Sequence, residues 1–174
     1  MERRHLRPLT AAAMPMVAVL AATILTSPSS LPAQVDKKKS GGQVVFSVGP
    51  QASSAFNVSA AFACPGDTAC RPAVVRVVLT SIGKPKYKDD HSVNLILDQD
   101  TELSVANPSY RVQKGTGRQA YEIITCMMPA ADFLALSAAE KVGLRVGTEE
   151  TELTKKQLEK LAALAAAIPE AEEE

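Results

Sequence analysis

Between Gln43 and Pro129 apolar and polar positions alternate with a period of two. Phe56, Val58, Ala60 and Phe62 fall on one side of their segment, and Asn57, Ser59 and Ala61 on the other. Successive side chains of an extended chain point to opposite faces, so the segment predicts a strand with one buried face. Val75, Val77 and Leu79 repeat the pattern, as do Val93, Leu95 and Leu97, then Leu103 and Val105, Tyr110 and Val112, and finally Tyr121, Ile123 and Thr125. β-Branched residues dominate these runs, as they do on pleated, half-buried surfaces.

The connections predict antiparallel neighbours. Asp98-Gln99-Asp100-Thr101 separates two alternating runs and Gly115-Thr116-Gly117 separates two more, both in residue types that favour hairpin turns. No interval before Pro129 is long enough for a helical crossover, which argues against parallel β-α-β units and a dinucleotide-binding sheet. At Pro129 the period changes: proline suits the first turn of a helix, and Phe133, Leu134 and Leu136 supply its apolar side. Val142, Leu144 and Val146 then return to a strand.

The last element is the most fully specified. Thr154-Lys155-Lys156-Gln157 has the form of a capping box, with Leu153 and Leu158 placed as a hydrophobic staple. Leu158, Leu161, Leu164, Ala165 and Ile168 recur at three- and four-residue steps and form one apolar stripe, which Pro169 ends. The predicted fold is mainly β with α: a single antiparallel β-sandwich or curled sheet of about seven to nine strands, with a short helix near 130–138 and a C-terminal helix over 155–168 capping the sheet.

The two ends of the chain lie outside this pattern. Arg3, Arg4 and Arg7 precede an apolar run from Leu9 to Leu25 and a small-residue segment from Thr26 to Ala33, the layout of an export signal removed after Ala33. The run contains Pro15 and falls short of the ~20 apolar residues of a comfortable membrane span, so the expected product does not span the membrane. Residues 34–42, with three lysines and two glycines, are expected to be a flexible linker, residues 43–168 a single β-rich domain, and residues 169–174 an acidic disordered tail. The expected location is periplasmic or secreted.

Charge narrows the functional classes. Residues 1–33 hold three of the 19 basic and one of the 19 acidic residues, so the remainder carries 16 and 18. A near-neutral domain has no global field to steer polyanions, which argues against nucleic acid as a partner. No cofactor motif is present, and tetrahedral zinc needs about four ligands where one histidine remains, so no metal is expected.

In an oxidising compartment three cysteines imply one pair and a remainder. Cys64 and Cys70 bracket the turn-rich Pro65-Gly66-Asp67-Thr68-Ala69 and are the expected disulfide; an alternative joins Cys126 to one of them, and Cys126 otherwise reads as a buried small hydrophobe. His91 stands between Asp90 and Ser92, with Asp89 beside it, and is the one candidate for a general base, with Asp89 or Asp98 as its carboxylate partner. Adjacent residues of an extended chain face opposite ways, so a solvated loop is the simpler reading. Asp98, Asp100 and Glu102 alternate as in a calcium loop, but Leu103 and Ser109 stand where such a loop needs glycine and glutamate, and a polar hairpin turn accounts for them.

Lys84-Pro85-Lys86-Tyr87-Lys88 is the most concentrated basic patch in the predicted fold. Lys84, Lys86, Tyr87 and Lys88 are the candidate contact with an anionic lipid or glycan surface, Tyr87 being read as an exposed aromatic at a loop tip. No catalytic motif appears. The function expected from these residues is an exported non-enzymatic binding or interaction module of the bacterial cell envelope, with another envelope protein or an anionic lipid or glycan surface as partner. One alternative is an amphiphile carrier with the C-terminal helix as lid, lined by Phe56, Phe62, Phe133 and Leu161; another is a hydrolase or metal-assisted enzyme centred on His91.

Overall fold

The computed structural model describes residues 34–170, apart from residues 54 and 118. Residues 1–33, where an export signal is expected, and all of the acidic tail beyond Glu170 lie outside the described residues. The elements in chain order are β1 (Asp36–Ser40), β2 (Gln43–Gln51), β3 (Asn57–Pro65), β4 (Val74–Gly83), β5 (Val93–Leu97), β6 (Thr101–Ser104), β7 (Ser109–Lys114), β8 (Ala120–Pro129), α1 (Ala130–Ala138), β9 (Val142–Val146), β10 (Glu149–Glu152) and α2 (Lys155–Ala165).

The strands form two antiparallel sheets. The larger has six strands in the order β1-β2-β3-β4-β8-β7, and the smaller has four in the order β10-β9-β5-β6. The chain crosses between sheets after β4, β6 and β8. The sandwich with a short helix and a C-terminal capping helix is therefore the fold, with the helix limits of α1 as the apolar pattern places them.

Register determines which side chains share a face. Val58 opposes Leu79 and Ala60 opposes Val77 across β3 and β4. Leu79, Val77 and Val75 oppose Ile124, Cys126 and Met128 across β4 and β8. This inner face of the large sheet meets Val93, Leu95, Leu97, Val142, Leu144 and Val146 of the small one, and all of these are buried. Over β2 and β3 the small sheet is replaced by α2, which packs on both strands and on α1. Phe46 and Phe62 stack there at 5.0 Å between ring centroids. Each fully buried Phe or Leu removes enough apolar surface to contribute ~2–3 kcal/mol, so this layer dominates the stability.

α2 begins as its sequence dictates. The Thr154 side chain accepts from the Gln157 amide and the Gln157 side-chain oxygen accepts from the Thr154 amide, completing the capping box. Gln157 is 1% exposed, and its Nε2 donates to the carbonyls of Gln51 and Phe56 at 3.1 and 2.9 Å. One residue thus caps the helix and ties its start to the segment between β2 and β3. Beyond Ala165 the chain tightens, with Ala167 and Ile168 bonding three residues back, so the regular helix ends earlier than the apolar stripe.

Three expectations are corrected. Residues 34–42 are not a linker: Asp36–Ser40 form β1, joined to β2 by Gly41 and Gly42 at φ 58° and 76°. Both glycines are left-handed, as a two-residue type I′ hairpin requires. Every β1 side chain is exposed, so the strand carries no apolar alternation to betray it. β10 is similar, and these strands bring the total to ten.

The inward face of β8 is also the opposite of the expected one. Glu122, Ile124, Cys126 and Met128 point inward, while Tyr121, Ile123 and Thr125 lie on the outer face. Both faces of this strand are largely apolar, so hydropathy alone does not choose between them, and pairing with β4 does. Val112 is exposed because β7 is the edge of the sheet.

Candidate functional site

The expected disulfide is present: Cys64 and Cys70 are bonded and close the loop that leaves β3. Cys126 is free and buried, and desolvation pushes its thiol up to about 12. A thiol held so far from ionisation is an inert packing group.

Tyr87 is not an exposed aromatic. It is 3% exposed and packs against Phe56 with ring centroids 5.3 Å apart. Its backbone amide, that of Lys86 and the Tyr110 hydroxyl all donate to Oε1 of Glu122, each at 2.8 Å. Glu122 is 2% exposed. A buried carboxylate must be paid back in hydrogen bonds, and this one draws the crossing from β4 to β5 down onto the sheet edge. Burial, then the bond to Glu122, push the Tyr110 hydroxyl up to about 12.

The lysines divide accordingly. Lys86 lies over the Tyr87 ring and bonds to Glu149 at 3.1 Å, and the bonding to these two neighbours raises its pKa. Lys84 and Lys88 remain exposed and make no ion pair among the described residues. Of the four residues expected to act together, Tyr87 is withdrawn into the core, while Lys84, Lys86 and Lys88 stay on the surface.

His91 stacks on Tyr110 at 5.1 Å, and its buried Nδ1 has no hydrogen-bond partner among the described residues. Asp90 accepts from the amide and hydroxyl of Ser92, which lower its pKa, and so it is turned to its own loop. Asp98 lies at the far end of β5, roughly 20 Å away at ~3.3 Å per residue, and accepts from the Lys141 amide at 2.9 Å. His91 thus has no hydrogen-bonded carboxylate to orient its ring among the described residues, which leaves general-base chemistry without its second part. Asp98 and Gln99 form a left-handed turn, Glu102 pairs with Arg145, and the three alternating carboxylates do not converge. No group of His, Cys, Asp and Glu able to hold a metal occurs among the described residues.

Phe56, Phe62, Phe133 and Leu161 are core residues. The enclosed space between Val77, Leu95, Cys126, Met128, Leu144 and Leu161 is about 10 Å³, near the lower limit for one water molecule and far below an acyl chain.

The outer face of the large sheet has a different character. Register places Val45, Ala61, Ala63, Val74, Arg76, Val78, Ile82, Ile123 and Met127 on it. No helix or strand of the described residues covers this face. Val74, Ile82 and Met127 are 45%, 48% and 50% exposed. Past Ala61 and Arg76 the ladder between β3 and β4 opens, although β3 continues to Pro65. The opening is an apolar depression of about 360 Å³ lined by Val45, Ala61, Ala63, Val74 and Met127, with Arg76 at its side. The disulfide loop and Pro72 link the two separated strand ends. Neither the depression nor the outer face was among the expected sites. The signal that would have found it is the run Val74-Val75-Arg76-Val77-Val78, apolar on both faces of one strand.

The geometry defines a two-layer, mainly β module with one apolar face open and no assembled catalytic group among the described residues. No protein-family model, no curated protein and no solved structure matches the chain. No helix among the described residues is long and apolar enough to cross a membrane.

Proposed function

We propose that the chain is an exported, non-enzymatic protein-binding module of the cell envelope that docks its partner on the outer face of the six-stranded sheet. The observation that carries this reading is the pair Val74 and Met127, each about half exposed beside the depression, with half-exposed Ile82 farther along β4 on the same face. Apolar residues scattered singly over a surface need no explanation, whereas exposed apolar side chains that meet at a preformed depression have the usual form of an interaction site. The Cys64–Cys70 bond supports the compartment, since such bonds persist where the surroundings are oxidising.

The test places a photo-crosslinking amino acid at Ile82, and as a control at Ser104 on the small sheet, in the full chain expressed in its native host. Discrete protein adducts from position 82 and none from position 104 are expected; adducts from neither, or equally from both, would remove the reading. N-terminal sequencing of the exported protein, expected to begin at Gln34, tests the address separately.

A further inference from the structure

We infer that the partner presents to this face an amphipathic α-helix whose apolar stripe is flanked by carboxylates. The inference rests on the docking reading above and specifies the chemistry of what docks. Backbone accounting selects a helix. β3, β4 and β8 are each paired on both sides over the middle of the sheet, so the face presents side chains and almost no free backbone. An extended segment laid across it would bring its own N–H and C=O groups against side chains that cannot bond them, whereas a helix satisfies its backbone internally. The middle of the face is also built of small or β-branched residues, Ser59, Ala61, Val78, Thr80 and Thr125, which leave a level bed for a helix, with half-exposed Met127 rising from it and Ile123 sunk among its neighbours.

Charge selects the flanks. Lys38, Arg76 and Arg111 lie on this face, all are exposed, and none has an ion pair among the described residues. Asp36 is the acidic residue that shares the face with them. Arg76 opposes Met127, and Arg111 opposes Ile123, four residues along the same strand. Two strand spacings across and four residues along put the two Cα atoms roughly 16 Å apart, the length of about three helical turns. A helix over Val78, Thr125 and Met127 can therefore meet one cation near each end, with an apolar side chain in the depression between β3 and β4. An anionic lipid surface matches the charges as well, but a flat headgroup layer places no apolar side chain in the open depression between β3 and β4.

The test uses the full exported chain against a displayed library of single helices of about 20 residues, randomised on one side. Enriched helices are expected to combine an apolar stripe with Asp or Glu, and their binding should fall roughly tenfold in Arg76→Glu or Met127→Asp, as for groups at the centre of an interface. The double variant Arg76→Glu/Arg111→Glu should instead select lysine-bearing helices, a reversal that a misfolded protein would not give. No enrichment, neutral or basic helices, or binding indifferent to these substitutions overturns the inference. So does tight binding to vesicles of phosphatidylglycerol and phosphatidylcholine that vanishes in the same variants, which assigns the face to lipid. If Ile82 still yields protein adducts while the library yields no acidic helix, the docking reading survives and this inference alone fails.

Discussion

The two faces of the six-stranded sheet are made by the same strands and differ in what their side chains are for. The inner face carries Phe46, Phe62, Val75, Leu79, Ile124 and Met128, large groups locked against the small sheet and the helices. The outer face of the same strands carries Ala61, Ala63, Ser59, Val78, Thr125 and Met127. Both are largely apolar, and what separates them is a covering layer, together with the small side chains at the centre of the outer face, beside which the larger Ile82, Tyr121, Ile123 and Met127 lie along β4 and β8. Large residues interdigitate with a second layer, while small ones leave a surface level enough to receive something that is not part of the chain.

The sharpest way to break this comparison is to truncate one large residue on each face. Phe62→Ala should cost about 3–5 kcal/mol of unfolding free energy, because a buried ring leaves a cavity that its neighbours fill only in part. Met127→Asp should change stability by less than about 0.5 kcal/mol, because its site is half in water. Urea titration of both variants reads the difference. A loss of more than ~2 kcal/mol for Met127→Asp would mean that something in the chain covers the outer face.

How far the two faces can be read from the sequence follows from the same contrast. β3 is legible because its apolar side holds Phe56, Val58 and Phe62 while its other side holds Asn57 and Ser59. β8 is not, because Tyr121-Glu122-Ile123-Ile124 offers apolar groups to both sides and the one charged residue is the one that goes in. β1 is invisible to periodicity, since a strand without a buried side chain is held by backbone bonds, by the Gly41-Gly42 turn and by surface contacts of its lysines with Phe46 and Asp67. The capping box of α2 is fully legible, because all its parts lie within four residues. The clustering at Glu122 is not, since it joins Lys86, Tyr87 and Tyr110 to a residue up to 36 positions away.

Glu122 is the polar exception on the inner face, and its removal should rank second. Glu122→Leu leaves the buried Tyr87 amide and the part-buried Lys86 amide and Tyr110 hydroxyl without their acceptor, at ~1–3 kcal/mol for each group that water cannot reach. A net loss of about 3 kcal/mol is expected after the added apolar packing offsets part of it. Hydrogen exchange should show the Lys86 and Tyr87 amides losing protection first. Unchanged protection there would show that the segment over Tyr87 is held by its packing on Phe56 and not by the carboxylate.

The disulfide comes next, because it shapes the border of the outer face. Cys64→Ser/Cys70→Ser should lose about 2 kcal/mol, the chain entropy of so short a ring. Cys126 gives a parallel readout in the wild-type protein. Its buried thiol should resist iodoacetamide at pH 8 until denaturant is added. Prompt alkylation of the native protein would place Cys126 outside the core and undo the assignment of the inner face of β8.

The smallest effect concerns Tyr110, at the border where the inner face meets solvent. An unfolded tyrosine loses its proton near ~10, whereas burial and the bond to Glu122 hold the native hydroxyl up to about 12. Between these values the unfolded chain gives up its proton while the folded chain keeps it, so the folded state binds more protons and stability must fall as pH rises. Below the lower value both states are protonated and Tyr110 contributes no pH dependence. Stability measured for wild type and Tyr110→Phe should therefore differ by a constant amount up to about pH 10, and the wild-type advantage should shrink from there towards pH 12. The difference between the two proteins cancels the lysines, which titrate over the same range in both. A difference that stays flat, with the Tyr110 phenolate band at 295 nm appearing near pH 10, would mean that water reaches the Glu122 oxygen and that the inner face is open at this edge.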